Sequence, residues 1–485
     1  MRCIPVMFCI AIVGGAFGGT ALAAEPVAGH LDCSIASNAQ FTDYTSSGQR
    51  LQYVILPSWD ADRMRALKAA NPHLEVLVYK NLLASQTPAE DGLSATGVTY
   101  EEALTHPEWF LLNTSGQPFT LRDYSYQWAM DVGNQGYQQR WAENVLADVK
   151  AQGWDGVFID NVDPTLEYYA EVSSIAKYPT DAEYAAATQS ALATITPRLR
   201  AAHMLVFANF GSWSDYDTTV TPWLKYVDGA MEEMFAKFDP TAGAGYLDEA
   251  EWTRQLDELK ETQRQGKVFL AVTHSATDDQ AAALYGWATV LLGAEGKADY
   301  EMAETYADET WFPEYEYDIG PPLGAESRDT NGVHRRAFTN GLVLVNPTAG
   351  PETISLGGVY SGSGLTRATS ATMPSHTALV LLRDSSHTGA PAQSSTPAVQ
   401  PANQLRPGDY GQSARPSASR RSAKAPSSAH IRLRNATRPL TCMRKPGVGV
   451  SAGSSARSHT ERRATARCRQ RTRQRHLSRS HGSSH

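Results

Sequence analysis

Short runs of β-branched and aromatic residues alternate along the chain with longer segments in which apolar residues recur every three or four positions. The runs have the length and composition of strands, and the longer segments those of amphipathic helices. Strands that are apolar on both faces and separated by helices are typical of a parallel sheet covered on both sides. Six runs are clear, at Tyr53–Leu56, Glu75–Lys80, Gly156–Asn161, Met204–Asn209, Asp228–Glu233 and Lys267–Thr273, and two weaker ones lie at Trp128–Val132 and near Ala298–Met302.

Helix boundaries between these runs are marked by capping residues. Asn134 begins a helix that Gly153 ends, and two four-residue segments, 180–183 and 277–280, fit the capping box. Eight strands over about 250 residues favour a closed barrel over an open doubly wound sheet. The first strand is also not followed by the Gly-x-Gly-x-x-Gly pattern of dinucleotide-binding folds. The predicted fold is therefore α/β, a (β/α)8 TIM barrel.

The pattern changes after Pro321. Five short strands with Gly, Asn and Pro turns predict a small antiparallel β domain that ends near Arg383. Beyond it Ser, Ala, Pro and Arg dominate without apolar runs, so this segment cannot bury enough surface to fold. The predicted organisation is a signal peptide at 1–24, a (β/α)8 barrel catalytic domain at 25–315, a small β-sandwich-like domain at 316–384 and a disordered basic, Ser/Arg/Pro-rich tail at 385–485.

Charge divides the chain in the same place. The net charge is −8, yet the tail holds 19 basic and two acidic residues, which leaves 24 basic and 49 acidic residues before it. Such an acidic body repels phosphate, so we expect no nucleic acid as its partner. For the tail, two interpretations stay open: an extension that binds a cell wall or polyanion, and a translated out-of-frame stretch.

The first residues resemble a secretory signal. Arg2 gives a positive start, an apolar run extends from Ile4 to Phe17, and small residues at 21–24 form a cleavage site. We therefore expect a secreted or periplasmic protein. No later segment has the roughly 20 apolar residues of a membrane span. Cys33 is the one cysteine of the body, which predicts no disulfide there.

In barrel enzymes the reacting groups lie at the carboxyl ends of the strands. Polar and aromatic residues occupy these ends here. Those that we expect to bind substrate are Trp59, Tyr79, Lys80, Asp131, Asn161, Asn209 and His274.

Two strand ends share a pattern in which Asp-Gly is followed by three mostly apolar residues and a carboxylate. The segments are Asp155–Asp160 and Asp228–Glu233. Because side chains alternate along a strand, Asp160 shares a face with Phe158, and equivalent positions direct both terminal carboxylates into one mouth. Two carboxyl groups are what glycosidic bond cleavage requires. Asp160 and Glu233 are the predicted catalytic pair, although a β-bulge would put Glu232 in the place of Glu233.

Other chemistries lack their residues. The body has neither His-x-His nor His-Glu-x-x-His, which leaves a zinc site without its usual ligands, and it has no Gly-x-Ser-x-Gly nucleophile elbow. We therefore predict no metal and no cofactor.

Several motifs in a fixed order resemble a known family. They are Tyr53–Leu56, Leu67–Pro72, Val76–Lys80, Gly97–Tyr100, His106–Leu112, Met130–Asn134, Gly153–Asn161, Ala208–Asn209 and Asp228–Glu233. Together they resemble the glycosyl hydrolase-like family 15 over about residues 50–300. The resemblance implies a TIM barrel related to the endo-α-1,4-polygalactosaminidase type families, with a catalytic Asp after the fourth strand and a Glu after the sixth. Those positions correspond to Asp160 and Glu233.

The sequence therefore predicts a secreted glycoside hydrolase that cleaves O-glycosidic bonds of a poly- or oligosaccharide with two carboxylates. The alternative is a catalytically inactive barrel that binds carbohydrate. A surface-adhesion protein is a third possibility, which depends on the basic tail alone.

Overall fold

A computed structural model describes residues 26–35, 43–86, 94–211, 213–307 and 309–384. It contains a closed barrel of eight parallel strands, which confirms the predicted fold class. The strands are β1 (Gly29–Cys33), β2 (Tyr53–Leu56), β3 (Glu75–Asn81), β4 (Gly156–Asp160), β5 (Leu205–Asn209), β6 (Gly229–Glu232), β7 (Val268–His274) and β8 (Ala298–Ala303). The predicted signal peptide and basic tail lie outside the described residues.

The strands follow chain order around the barrel, and β8 closes it by pairing with β1. Helices connect them at Tyr44–Arg50, Ala61–Ala70, Gln135–Gln152, Asp181–Ala201, Glu249–Arg264 and Gln280–Gly293, and the β5–β6 connection holds Asp217–Val220 and a 3-10 turn at Thr221–Tyr226. The predicted capping box at Thr180 and Glu183 forms both of its hydrogen bonds. The one predicted at 277–280 is wrong, because Asp279 caps that helix by accepting from the Ala282 N–H.

The predicted strand at Trp128–Val132 does not belong to the barrel. Residues Tyr124–Ala129 form an antiparallel sheet with Ala84–Gln86 and Thr120–Leu121. This sheet belongs to an insertion between β3 and the following helix, which also holds short helical turns at Tyr100–Ala103 and Pro107–Trp109. The prediction failed because the pairing partners are local strands, which an apolar run does not reveal.

Strand β1 is the barrel strand that the hydrophobic pattern missed, because His30 and Asp32 interrupt it. His30 is buried among the rings of Trp287, Trp311 and Tyr315, with centroids 4.3, 4.8 and 4.6 Å away. Burial lowers the pKa of His30 to about 3 and raises that of Asp32 to about 7. Both side chains can thus be buried in their neutral forms, at a far lower cost than as charges.

The C-terminal region is one antiparallel sheet of six strands: β9 (Ser327–Arg328), β10 (His334–Ala337), β11 (Gly341–Asn346), β12 (Glu352–Gly362), β13 (Leu365–Met373) and β14 (Thr377–Arg383). Their spatial order is β9-β10-β11-β14-β12-β13. A 3-10 turn at Pro313–Glu316 precedes them.

Helix Gln280–Gly293 joins the barrel to this sheet. It packs against β11 and β14 on one side and against β7 and β8 on the other. A helix covered on both sides has no solvent face, which explains why its sequence is apolar all round. Arg336 of β10 donates to the Leu291 and Ala294 carbonyls at the end of this helix, at 3.0 and 2.7 Å. No helix among the described residues is both long and apolar enough to cross a bilayer.

Candidate active site

Six polar side chains from six consecutive strands, β3 to β8, meet inside the carboxyl end of the barrel. Below them the interior is filled by apolar side chains, among them Ile55, Leu77, Phe158, Phe207, Met231 and Leu270. The polar side chains belong to Tyr79, Asp160, Asn209, Glu233, His274 and Tyr306, which lie at or just beyond the strand ends. This group is called the mouth cluster below.

The two Asp-Gly segments bring their carboxylates to equivalent places. At the start of each, Asp155 or Asp228 accepts a backbone N–H from the preceding strand and pairs with a basic residue of a helix, Lys68 at 2.7 Å or Arg200 at 2.6 Å. The following glycines allow close packing, since a Cβ at Gly156 would lie 2.2 Å from the Leu205 carbonyl oxygen. Each segment is therefore fixed at its lower end, and its last carboxylate extends into the mouth cluster.

Asn209 lies between the two carboxylates and bonds to both. Its side-chain nitrogen Nδ2 donates to Asp160 Oδ1 at 3.0 Å and to Glu233 Oε2 at 2.9 Å. Two oxygens that share one nitrogen at these distances are at most about 5.9 Å apart. Asn209 is 6% exposed, so its orientation is fixed by packing at the end of β5.

Asp160 accepts a second hydrogen bond from Tyr79. The phenol donates to Oδ2 at 2.5 Å, while Asn209 occupies Oδ1. Burial, and then the negative charge of Glu233, raise the pKa of Asp160, and the hydrogen bonds from Tyr79 and Asn209 oppose that rise. The result is a carboxylate that is desolvated yet bonded through both of its oxygens.

Glu233 has a different environment. Its Oε1 accepts from the Tyr306 hydroxyl at 2.9 Å, and that hydroxyl also lies 3.2 Å from Nε2 of His274. The same His274 nitrogen is 3.8 Å from Glu233 Oε1, and the Glu233 side chain is 28% exposed. Glu233 therefore combines a hydrogen-bonded chain inside the barrel with access to the mouth.

Glu232 points to the opposite side. It is buried on the helix side of β6, where its carboxylate accepts from the Met234 N–H at 3.1 Å. Burial raises the pKa of Glu232 to about 8 and that of the nearby Glu258 to about 9, and the charge of Glu232 contributes to the latter. No bulge reverses the register of this strand, so Glu233 is the residue that the structure brings to Asp160.

Two of the residues expected to bind substrate are held in ion pairs away from the mouth cluster. Lys80 follows Tyr79 on β3 and so faces the helices, where its Nζ contacts Asp148 at 2.5 Å and Ser58 at 2.7 Å. Asp131 follows the inserted sheet and not a barrel strand, and it pairs with Lys177 at 2.7 Å.

Asn161 and Trp59 have intermediate positions. Asn161 follows Asp160 with a φ of 58°, and its Oδ1 accepts from the Tyr169 hydroxyl at 2.9 Å. Trp59 follows β2 and is partly exposed. The backbone of Asn161 forms a hydrogen bond with Asp160, whereas the Asn161 side chain and Trp59 have no described contact with the two carboxylates.

Tyr306 is the member of the mouth cluster that sequence reasoning missed. It comes three residues after β8. The predicted site residues come from the ends of the first seven predicted strands only. The weak apolar run near Ala298–Met302 predicts an eighth strand, and Tyr306 is an aromatic residue shortly after its end. Among the described residues no group of three or more His, Cys, Asp or Glu side chains is arranged to hold a metal ion.

Residues 68–342 match the model of hypothetical glycosyl hydrolase family 15. The chain belongs to this family. The predicted family and the prediction of a glycoside hydrolase are thereby confirmed. No curated protein matches the chain.

Solved glycoside hydrolase structures are similar at low identity. The glycoside hydrolase domain of PelA from Pseudomonas aeruginosa is 14% identical, with 57% of this chain and 96% of that chain covered and a TM-score of 0.39. Ega3 from Aspergillus fumigatus, in complex with galactosamine, is 14% identical, with 60% and 98% covered and a TM-score of 0.35. A GH27 β-L-arabinopyranosidase from Geobacillus stearothermophilus is 9% identical, with 76% and 98% covered and a TM-score of 0.44.

Proposed function

We propose that this family member is a secreted or periplasmic enzyme that cleaves O-glycosidic bonds of a poly- or oligosaccharide, with Asp160 and Glu233 as its two catalytic carboxylates. The observation that carries the proposal is the shared amide of Asn209, which bonds both carboxylates in one barrel mouth. The export of the enzyme is inferred from the signal-like residues 1–24. In this view the barrel, 25–315, is the catalytic domain and residues 316–384 form the supporting β domain.

The distance between the carboxylates favours retention of configuration. Retaining glycosidases have carboxyl groups about 5–5.5 Å apart, whereas inverting enzymes need about 6.5–9.5 Å to fit a water between them. The facing oxygens of Asp160 and Glu233 lie within about 5.9 Å of each other. We therefore propose a two-step reaction in which one carboxylate forms a covalent bond to the sugar.

The neighbouring residues suggest how the sugar is held. Asn161 and His274 contact Asp160 and Glu233 respectively, and Trp59 follows the end of β2 and is partly exposed. We propose that all three contact the substrate. Lys80 and Asp131 are not part of this proposal, because both are bound in ion pairs elsewhere.

The test is hydrolysis of a panel of soluble polysaccharides, including ones with amino sugars, by the full chain. Wild type should release reducing ends, while Asp160→Asn and Glu233→Gln should lose activity by at least about 10³-fold. Glu232→Gln is the matched control and should remain active, because Glu232 faces the helices. Equal release by all four proteins would refute the assignment of the site. The anomer released first, observed by NMR, decides between retention and inversion.

A further inference from the structure

Tyr306 lies in an unusual backbone conformation, and its phenol bonds Glu233. Its φ is 55°, in the left-handed region that residues other than glycine rarely adopt. Such strain persists where the surrounding structure holds it and is concentrated at functional sites. Here the conformation places the phenol hydroxyl between Glu233 and His274.

The hydrogen bonds of the two carboxylates differ in what they can do with a proton. Asp160 accepts from Tyr79 and from the amide nitrogen of Asn209, which can only donate. Glu233 also accepts from Asn209, but its other oxygen is bonded to a hydroxyl with a histidine ring behind it. Behind Tyr79 lies the side-chain amide of Asn81, whose oxygen already accepts from the Ala84 N–H, and no histidine among the described residues.

A histidine behind a hydroxyl makes the hydrogen-bonded chain reversible. When Glu233 is ionised, Tyr306 donates to it and the Nε2–H of His274 donates to Tyr306. When Glu233 is protonated, it donates to Tyr306, which donates in turn to an unprotonated Nε2. The side chain of His274 is 13% exposed, so solvent reaches its ring. Burial and Glu233 raise the pKa of Tyr306 well above its usual value, so the phenol keeps its proton.

We propose that Tyr306 and His274 are positioning residues that hold Glu233 in both protonation states, which makes Glu233 the general acid/base and Asp160 the nucleophile. This inference rests on the proposed retaining hydrolase. In the first step a carboxylate oxygen of Asp160 bonds to the anomeric carbon, the glycosidic C–O bond breaks, and the leaving oxygen takes the proton of Glu233. In the second step water gives a proton to Glu233 and its oxygen bonds to the anomeric carbon, which releases Asp160.

Tyr306→Phe separates this role from a structural one. The probes are phenyl and 2,4-dinitrophenyl glycosides of the sugars in the panel, together with the polysaccharide that wild type cleaves. A dinitrophenolate leaves without a proton, whereas a phenolate or a sugar needs one. We therefore expect kcat/KM to fall about 10-fold or more for the phenyl glycoside and the polysaccharide, and little for the dinitrophenyl glycoside.

The pH profile gives a second readout. The charged or titratable groups that face Glu233 include Asp160 of β4, His274 of β7, Cys33 of β1 and Tyr306, and Glu232 precedes it in the chain. Phe can neither donate to the ionised carboxylate nor accept from the protonated one, and the bond to the charged form is the stronger of the two. The basic limb of kcat/KM should therefore move up by about one pH unit. His274→Gln, which retains one donor and one acceptor, should change the limb less than His274→Ala.

Tyr285→Phe is the matched control. Tyr285 is buried in helix Gln280–Gly293, and its hydroxyl has no hydrogen-bond partner among the described residues. This variant should match wild type on every probe. Equal losses of Tyr306→Phe on both aryl glycosides with an unmoved pH profile would overturn the inference while the hydrolase stands. If Asp160→Asn and Glu233→Gln equal wild type on the polysaccharide, the proposed function itself fails.

Discussion

Replacing Asn209 by Ala should change the pH dependence of the enzyme, because the side-chain amide of Asn209 bonds both carboxylates. Its Nδ2 lies 3.0 Å from Asp160 and 2.9 Å from Glu233. A hydrogen bond to a charged group contributes about 1.5–3 kcal/mol, and one pKa unit corresponds to about 1.36 kcal/mol. Loss of the bond to Asp160 should therefore raise the pKa of that carboxyl by about 1–2 units.

Repulsion between the carboxylates acts in the same direction. Two negative charges at most about 5.9 Å apart repel by at least about 3 kcal/mol at an effective dielectric constant of about 20. With the donor removed, the pair favours its singly protonated form over a wider pH range. A group with a raised pKa is ionised only at higher pH, so the acidic limb of kcat/KM should move upward by about 1–2 units.

The assay is the release of reducing ends between about pH 4 and 9, with thermal unfolding as a check on folding. Below the new limb, kcat/KM should fall about 10- to 100-fold, and part of the loss should be recovered at higher pH. Asn71→Ala is the control, because Asn71 also donates an amide hydrogen bond that is partly buried, to the Gly48 carbonyl at 2.8 Å, away from the mouth. A folded Asn209→Ala enzyme with the wild-type profile would refute the reasoning.

Two further predictions concern residues outside the mouth cluster. Glu232 and Glu258 have folded-state pKa values of about 8 and 9, raised from 4.5, so the native state binds more protons than the unfolded chain and stability is lost as pH rises from about 4.5 through 9. Glu258→Gln should reduce that loss by at least about 1 kcal/mol at pH 9 in urea unfolding, and an unchanged pH dependence would contradict it. Lys80→Met leaves the buried Asp148 without its cation, so we expect a loss of about 3–5 kcal/mol in unfolding free energy that Asp148→Leu largely restores. A raised KM in a fully stable Lys80→Met enzyme would contradict this and indicate that Lys80 binds substrate.

The hydrophobic pattern was sufficient to locate a strand that is apolar on both faces. It was insufficient for a strand that contains buried polar side chains in their neutral forms. Strands β2 to β7 were found from their apolar runs, whereas His30 and Asp32 concealed β1. The prediction lacked β1 and wrongly counted Trp128–Val132 as the third barrel strand. These two errors offset each other, so Asp160 ends the fourth barrel strand both in the prediction and in the structure. A sequence cannot give the neutral state of a buried histidine, because that state depends on rings more than 250 residues away in the chain.

In the site, too, local sequence patterns predicted some residues, whereas others depend on contacts between distant parts of the chain. Alternation along a strand separates Glu233 from Glu232, and the same rule, applied to β3, would have separated Tyr79 from Lys80. The repeated Asp-Gly segments made the two carboxylates visible, since each segment carries both its lower anchor and its mouth residue. Tyr306 has no such motif, because its role depends on a left-handed backbone after β8 and on a contact with β7.

Two nearly equivalent segments thus present two carboxylates, and a retaining mechanism requires those carboxylates to differ. Asn209 cannot supply the difference, because it bonds both through one nitrogen at nearly equal distances. The difference comes from what lies behind each acid: a phenol beside Asp160 that is backed by the side-chain amide of Asn81, and a phenol beside Glu233 that is backed by an imidazole. A nucleophile needs only donors that hold its charge, whereas an acid/base must be held both with and without its proton. The asymmetry of the site therefore originates in β7 and in the loop after β8, not in the repeats that carry the carboxylates.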